Sequence, residues 1–215
     1  MLNELKLKMK VLVQHNRREC RLIMDTRVFS VFPACGKTWI FERQKELGIT
    51  VLDSDSSEFS WCMRTRTDKE AKAIIAEKNY TTLSDIESVY NEVCKLRNPD
   101  FPKNYVEHIR EKLGTCDYLF VRTHEEVRAA MYAAGIDYTL VYPYSNCLAE
   151  YVGRCYLREM AGTNGFPISV LINNWDKWIE QCMSDPGASC RWRLANGEYF
   201  MDHFRHLGGS RKIRR

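Results

Sequence analysis

Val28-Phe29-Ser30-Val31-Phe32-Pro33-Ala34-Cys35-Gly36-Lys37-Thr38-Trp39 is the stretch whose reading decides the fold. A short apolar, β-branched run stops at Pro33 and turns through Gly36. It then gives way to Trp39-Ile40-Phe41-Glu42-Arg43-Gln44-Lys45-Glu46-Leu47, where the apolar spacing becomes helical. The pattern predicts a strand, a turn and the start of a helix. That geometry turns several backbone N–H groups and the positive end of a helix dipole toward one small concavity, which suits a phosphate. Lys37 adds a mobile positive charge over the outer phosphates, and the Thr38 hydroxyl is placed to ligate Mg²⁺.

The pattern G-x-x-x-x-G-K-[ST] is matched incompletely, because Val31 stands at the position of the first glycine. A β-branched side chain resists the φ > 0 conformations open to glycine, so the start of the loop is expected to differ or to be strained. The bland alternative is an ordinary turn with an exposed lysine.

Working outward, 215 residues suit one α/β domain with a small lid and are enough to bury a full core. A hydrophobic content of 45% beside 28% charge is ordinary for a soluble globular chain, and no apolar run approaches a membrane span or a signal peptide. The net charge of +4 is mild and partly local, since Arg211, Lys212, Arg214 and Arg215 crowd the C-terminus. Nine cysteines without a Cys-x-x-Cys pair argue against a zinc site and a disulfide framework, and read as reduced cytoplasmic thiols. Cys35, inside the loop, reads as a small filler rather than a redox centre.

Residues 1–24 read as a peripheral extension, residues 25–207 as the main domain and residues 208–215 as a basic tail. Beyond Gly48, Ile49–Leu52 reads as a second strand ending in Asp53-Ser54-Asp55-Ser56-Ser57-Glu58-Phe59-Ser60-Trp61. Two aspartates at the carboxyl end of a strand beside a phosphate loop are placed for chemistry, or else form an Asx-rich turn capping the next helix. Helical spacing is expected at 68–79, 83–96, 104–113 and 125–134. Strands are expected at 117–121 and 137–143, and Gly197–Met201 reads as a fifth. Alternating strands and helices imply a mainly parallel sheet with helices on both faces. Arg154 and Arg158 lie four apart on one face of a helix within Asn146–Gly162, and either clamp phosphoryl oxygens or merely solvate that helix with Glu150. A last amphipathic helix at 169–183 carries Trp175, Trp178 and Ile179 toward the sheet.

Taken in order, Phe32-Pro33-x-x-Gly36-Lys37-Thr38, the Asp53–Trp61 segment, Asn98-Pro99-Asp100-Phe101-Pro102, Tyr142-Pro143, Tyr151-Val152-x-Arg154 and Asn174-Trp175-Asp176-Lys177-Trp178 carry a resemblance. The chain resembles P-loop kinases of the nucleoside monophosphate kinase type, and more narrowly the small adenylate-kinase-like P-loop proteins of bacteriophages and some bacteria. The resemblance implies a three-layer P-loop NTPase fold with a small helical lid at about 144–165, ATP and Mg²⁺ as cofactors, and phosphoryl transfer to a nucleotide, nucleoside or related hydroxyl. On that reading residues 33–39, from Pro33 to Trp39, hold the nucleotide: Ala34, Cys35 and Gly36 with Lys37 cradle the phosphates, and Thr38 ligates the metal. Asp53 or Asp55 orients the acceptor or holds the metal through water. Arg154 and Arg158 close over the phosphates, and Arg122 and Arg128 follow the third strand as weaker acceptor contacts. A small-molecule nucleotide is the expected partner, with no membrane and with the cytoplasm, or a host's cytoplasm, as the compartment. Two competing readings stand beside it. One is a kinase acting on a hydroxyl of nucleic acid, with Arg191-Trp192-Arg193 as phosphate contacts and stacking surface; the other is a non-catalytic ATP-binding module.

Overall fold

A computed structural model describes residues 26–162 and 167–204. The expected N-terminal extension, the start of the main domain at Asp25 and the basic tail lie outside these residues. In chain order the elements are β1 (Arg27–Val31), α1 (Lys37–Glu42), β2 (Val51–Asp53), α2 (Ser57–Ser60) and β3 (Trp61–Arg64). There follow α3 (Asp68–Lys78), α4 (Leu83–Asn91), β4 (Cys94–Arg97), α5 (Lys103–Lys112), β5 (Tyr118–Arg122) and α6 (Glu125–Ala133). The described chain ends with β6 (Tyr138–Pro143), a 3₁₀ turn at Ser145–Cys147, α7 (Leu148–Met160), α8 (Ile168–Met183), β7 (Cys190–Leu194) and α9 (Phe200–Phe204). Two compact bodies result, one of residues 26–54 and 106–204 and one of Asp55–Tyr105. Among the described residues no helix is long and apolar enough to cross a membrane.

The first body is α/β, built on a five-stranded parallel sheet in the order β2-β5-β1-β6-β7. Residues paired across neighbouring strands share a face. The register therefore sets Phe29 and Val31 beside Phe120, Val141 and Trp192 on one face, and Val28 and Ser30 beside Leu119, Val121, Tyr138 and Leu140 on the other. On the first face Phe200 and Phe204 of α9 complete a ring cluster, with Phe29 and Phe120 each 5.1 Å from Phe200. The second face packs against α6 and the turn after α8, where the Tyr138 hydroxyl donates to Asp185 over 2.8 Å. A sheet covered on both sides needs apolar residues at consecutive positions, which is why Val28 to Val31 reads as an unbroken run with Ser30 buried inside it.

Chain direction over the sheet fixes where a ligand can sit. From β1 the chain passes over β5 to reach β2, whereas from β6 it moves the other way to β7. Adjacent strands β1 and β6 thus send their connections apart, which is where open α/β sheets bind ligands beyond their carboxyl ends, and there Val31 leads into the Phe32–Gly36 loop.

Local chemistry corrects three expectations. The first helix covers Lys37–Glu42 rather than Trp39–Leu47: the Gln44 side chain donates to the Phe41 carbonyl and accepts from the Val51 N–H, both over 3.0 Å, and diverts the backbone into turns. The helix expected over 83–96 stops at Asn91, where the Arg66 guanidinium caps the Val89 carbonyl and pairs with Glu92. Cys94–Arg97 becomes a strand instead, antiparallel to Trp61–Arg64. The fifth sheet strand is Cys190–Leu194, and Gly197–Met201 forms a turn and the start of α9.

In the second body Thr67 caps α3 through a reciprocal pair with Glu70, and Thr82 caps α4. Glu70 also accepts two bonds from Arg64, each 2.8 Å, which joins α3 to the two-stranded ribbon. The Arg64 fork and the Thr67 N–H and hydroxyl pull its carboxyl down to about 2.

Candidate functional site

The Phe32–Gly36 loop is pinned from beneath by its own apolar side chains. Phe32 is buried, with its ring 5.6 Å from Trp175 and 6.1 Å from Tyr151, and its N–H donates to Val141 across 2.9 Å. Cys35 is buried against the Tyr151 hydroxyl at 3.2 Å, and its carbonyl accepts from the Phe200 N–H over 2.9 Å. Burial pushes the Cys35 thiol up to about 12, so it stays protonated and acts as filler. Pro33, Ala34 and Gly36, by contrast, remain half-exposed.

The strain expected at Val31 lies elsewhere. Val31 is the last residue of β1, paired with both Arg122 and Val141, and its side chain is in the core. The left-handed conformations fall at Ala34, with φ 60°, and at Gly36, with φ 98°. The φ of Gly36 is one that L side chains rarely adopt, and a Cβ there would also come within 3.2 Å of the Tyr199 ring.

Gly36 caps α1, and it has no side chain to bond the helix's first amides; the first turn of α1 also carries no acidic residue. The positive helix end is therefore uncompensated. Beside it, Lys37 Nζ donates to Asp53 Oδ1 across 2.6 Å, with the two side chains 16% and 24% exposed. Asp53 ends β2 and is paired in register with Phe120, two residues before Arg122 ends β5. Lys37, Asp53 and Arg122 thus gather at the carboxyl edge of the sheet, while Thr38 and Trp39 are exposed on α1. Trp39 lies under the Arg43 guanidinium, 4.4 Å from its centroid.

The remaining predicted residues fall into other settings. Asp55 belongs to the second body, where its Oδ1 accepts from the Ser57 N–H over 2.9 Å, as the Asx-turn reading expects. Arg128 is buried on the second sheet face: its Nε meets Asp185 at 2.5 Å, and its two terminal nitrogens donate to the Thr123 and Gln181 carbonyls. Burial alone would raise the Asp185 carboxyl, but the Arg128 guanidinium, Tyr138 and the Gly187 N–H together hold it below the usual carboxylate range. Arg128 is thus part of the framework, not a contact at the sheet edge. Asp117 stands at the opposite end of β5, where it accepts from the Thr50 N–H over 2.8 Å.

Arg154 and Arg158 share α7 but not an environment. Arg154 is buried, donating to the Ala34 carbonyl over 3.2 Å, to the Glu198 carbonyl over 2.7 Å and to the Glu150 carboxylate. Its guanidinium is 3.8 Å from the Tyr199 ring centroid and 4.7 Å from that of Tyr151. Arg158, one turn on, is exposed. The part of the expected lid that is described is therefore a helix whose Tyr151, Arg154 and Cys155 are buried, and Arg154 touches the loop itself. Tyr199 and Glu198 are the site residues that sequence reasoning missed, because the Gly197–Met201 segment that carries them read as a strand.

Arg191-Trp192-Arg193 is not a stacking surface. Trp192 packs in the ring cluster 5.2 Å from Phe29, Arg191 donates to the Asp185 carbonyl and Arg193 stacks on Tyr144. A shallow concavity of ≈ 400 Å³ lies along α8, lined by Ser145, Asp176, Ile179, Glu180, Met183 and Ser184, and includes none of the loop residues. Among the described residues no group of three His, Cys, Asp or Glu side chains is arranged to hold a metal ion. No protein-family model and no curated protein matches the chain.

Proposed function

We propose that the protein is a P-loop phosphotransferase that moves a phosphoryl group from ATP to a nucleoside monophosphate or a related nucleotide or nucleoside. The observation that carries this reading is the Lys37–Asp53 pair beside an uncapped helix start, at the edge where the sheet's connections diverge. A polyphosphate needs donors and positive charge in one place, and both are present there.

The donor set fits the two cofactors. Mg²⁺ bound with a nucleotide keeps several waters and takes one or two protein oxygens, so the lack of a three-residue metal cluster is compatible with Thr38 and Asp53 as its protein ligands. The bound ion would neutralise charge on the phosphate oxygens. Lys37 would exchange its bond to Asp53 for phosphate oxygens, and the Gly36 and Lys37 amides would supply further donors. Arg122, at the same sheet edge, would attract an anionic acceptor. Arg154 acts through the loop: by holding the Ala34 carbonyl it fixes the backbone that presents those amides.

The test is a screen of ribo- and deoxynucleoside monophosphates with Mg·ATP, following ADP release. The expected result is release that depends on the acceptor and falls roughly 100- to 1,000-fold in Lys37→Ala, the scale for losing one donor to developing charge. Release that Lys37→Ala leaves unchanged would reject the proposal.

A further inference from the structure

The β3–β4 ribbon carries large exposed side chains that the phosphate loop does not use. Its register pairs Trp61 with Arg97 and Met63 with Lys95, so these four side chains share one face. The other four, Cys62, Arg64, Leu96 and Cys94, share the opposite face, where Arg64 joins Glu70 of α3. The first face is open: Trp61 is 44% and Met63 66% exposed, and Lys95 is exposed as well. An indole and a thioether held at the surface of a small body are poor choices for solubility alone.

Both charged ribbon residues on this face, Lys95 and Arg97, are cations. The eight ribbon residues include three cations and no carboxylate, and Arg64, the cation on the opposite face, is neutralised by Glu70. The Arg97 guanidinium lies 5.7 Å from the Trp61 ring and 4.3 Å from the buried Phe101 ring, which steadies the indole before any ligand arrives.

We infer that this face binds single-stranded nucleic acid, with a base stacked on Trp61 and a backbone phosphate drawn to Lys95. An aromatic platform beside cations on a strand pair is the chemistry such ligands require. Four residues of strand extend about 13 Å at 3.3 Å each, room for about two nucleotides. The inference stands apart from the phosphate loop. Where both hold, the ribbon is a site through which a kinase engages a polynucleotide acceptor.

The test uses the full-length chain, a fluorescein-labelled oligothymidylate and no ATP, and reads anisotropy against salt. Wild type is expected to bind, Trp61→Ala to bind about ten-fold more weakly by the loss of one stacked base, and Trp61→Phe to keep most of the affinity. Lys95→Ala is expected to lower the slope of log affinity against log salt by about 0.7, the value of one single-strand phosphate contact. Lys37→Ala should leave this binding unchanged, which separates it from the phosphate site. Absent binding, or binding that Trp61→Ala and Lys95→Ala both leave intact, overturns the inference. So does a change of oligomeric state in Trp61→Ala without loss of oligonucleotide binding, which would make the face a contact between copies of the chain.

Discussion

Two cation–carboxylate pairs in the first body are built from the same chemistry and set in opposite surroundings. Arg128 and Asp185 are almost wholly buried, at 1% and 5% side-chain exposure; each Arg128 nitrogen has a partner, and Asp185 accepts from Arg128, Tyr138 and two backbone N–H groups. Lys37 and Asp53 are joined by one bond at the carboxyl edge of the sheet, next to a helix start that no side chain caps. A buried pair cannot exchange its partner without stranding a charge, so it braces the fold. A pair at the rim can trade one oxygen for another, which is what a ligand site needs.

The largest effect should come from breaking the buried pair. Asp185→Asn leaves Arg128 buried without its counter-charge, and we expect a loss of about 3–5 kcal/mol in urea unfolding; a loss below 1 kcal/mol would mean the network is no brace. The same contrast has a pH signature. Because the folded carboxyl of Asp185 is lowered, its stabilisation is complete above the unfolded value of about 4 and is lost as pH falls through the folded value. The stability gap between wild type and Asp185→Asn should therefore narrow below about pH 4 and stay flat near neutrality. A gap that widened in acid would contradict the assignment.

Smaller effects belong to the rim. Gly36→Ala forces a Cβ into a left-handed residue against Tyr199 and should destabilise by about 1–2 kcal/mol in the same assay. No change there would show that the loop is free to reshape. Asp53→Asn should lower stability by about 1 kcal/mol or less, since a partly solvated pair contributes little. Matching the loss seen for Asp185→Asn would erase the distinction between the two pairs.

What the sequence made legible follows the range of the physics involved. The β1 strand and the Pro33–Gly36 turn into a helix are set by neighbouring residues and were read directly, although the helix begins at Lys37, two residues before the apolar spacing that announced it. Asp53 at the end of β2 was visible because strand ends collect ligands. The ribbon was hidden, since strands of four residues leave no period to detect and Val93 and Leu96 continue the apolar spacing of α4. Arg128 and Arg154 look alike as helix arginines, yet one meets a carboxylate 57 positions away and the other a carbonyl 120 positions away. Such pairings come from the folded chain, and no local pattern encodes them. The Tyr199 ring over Gly36 belongs to the same class.

Calorimetric titration of the full chain with a non-hydrolysable ATP analogue and Mg²⁺, run on wild type and Lys37→Ala, tests the central claim most directly. The account expects wild type to bind and Lys37→Ala to lose roughly 10- to 100-fold in affinity, the scale of one hydrogen bond to a charged group. Equal affinity in the two proteins, or no heat of binding from wild type, would contradict it.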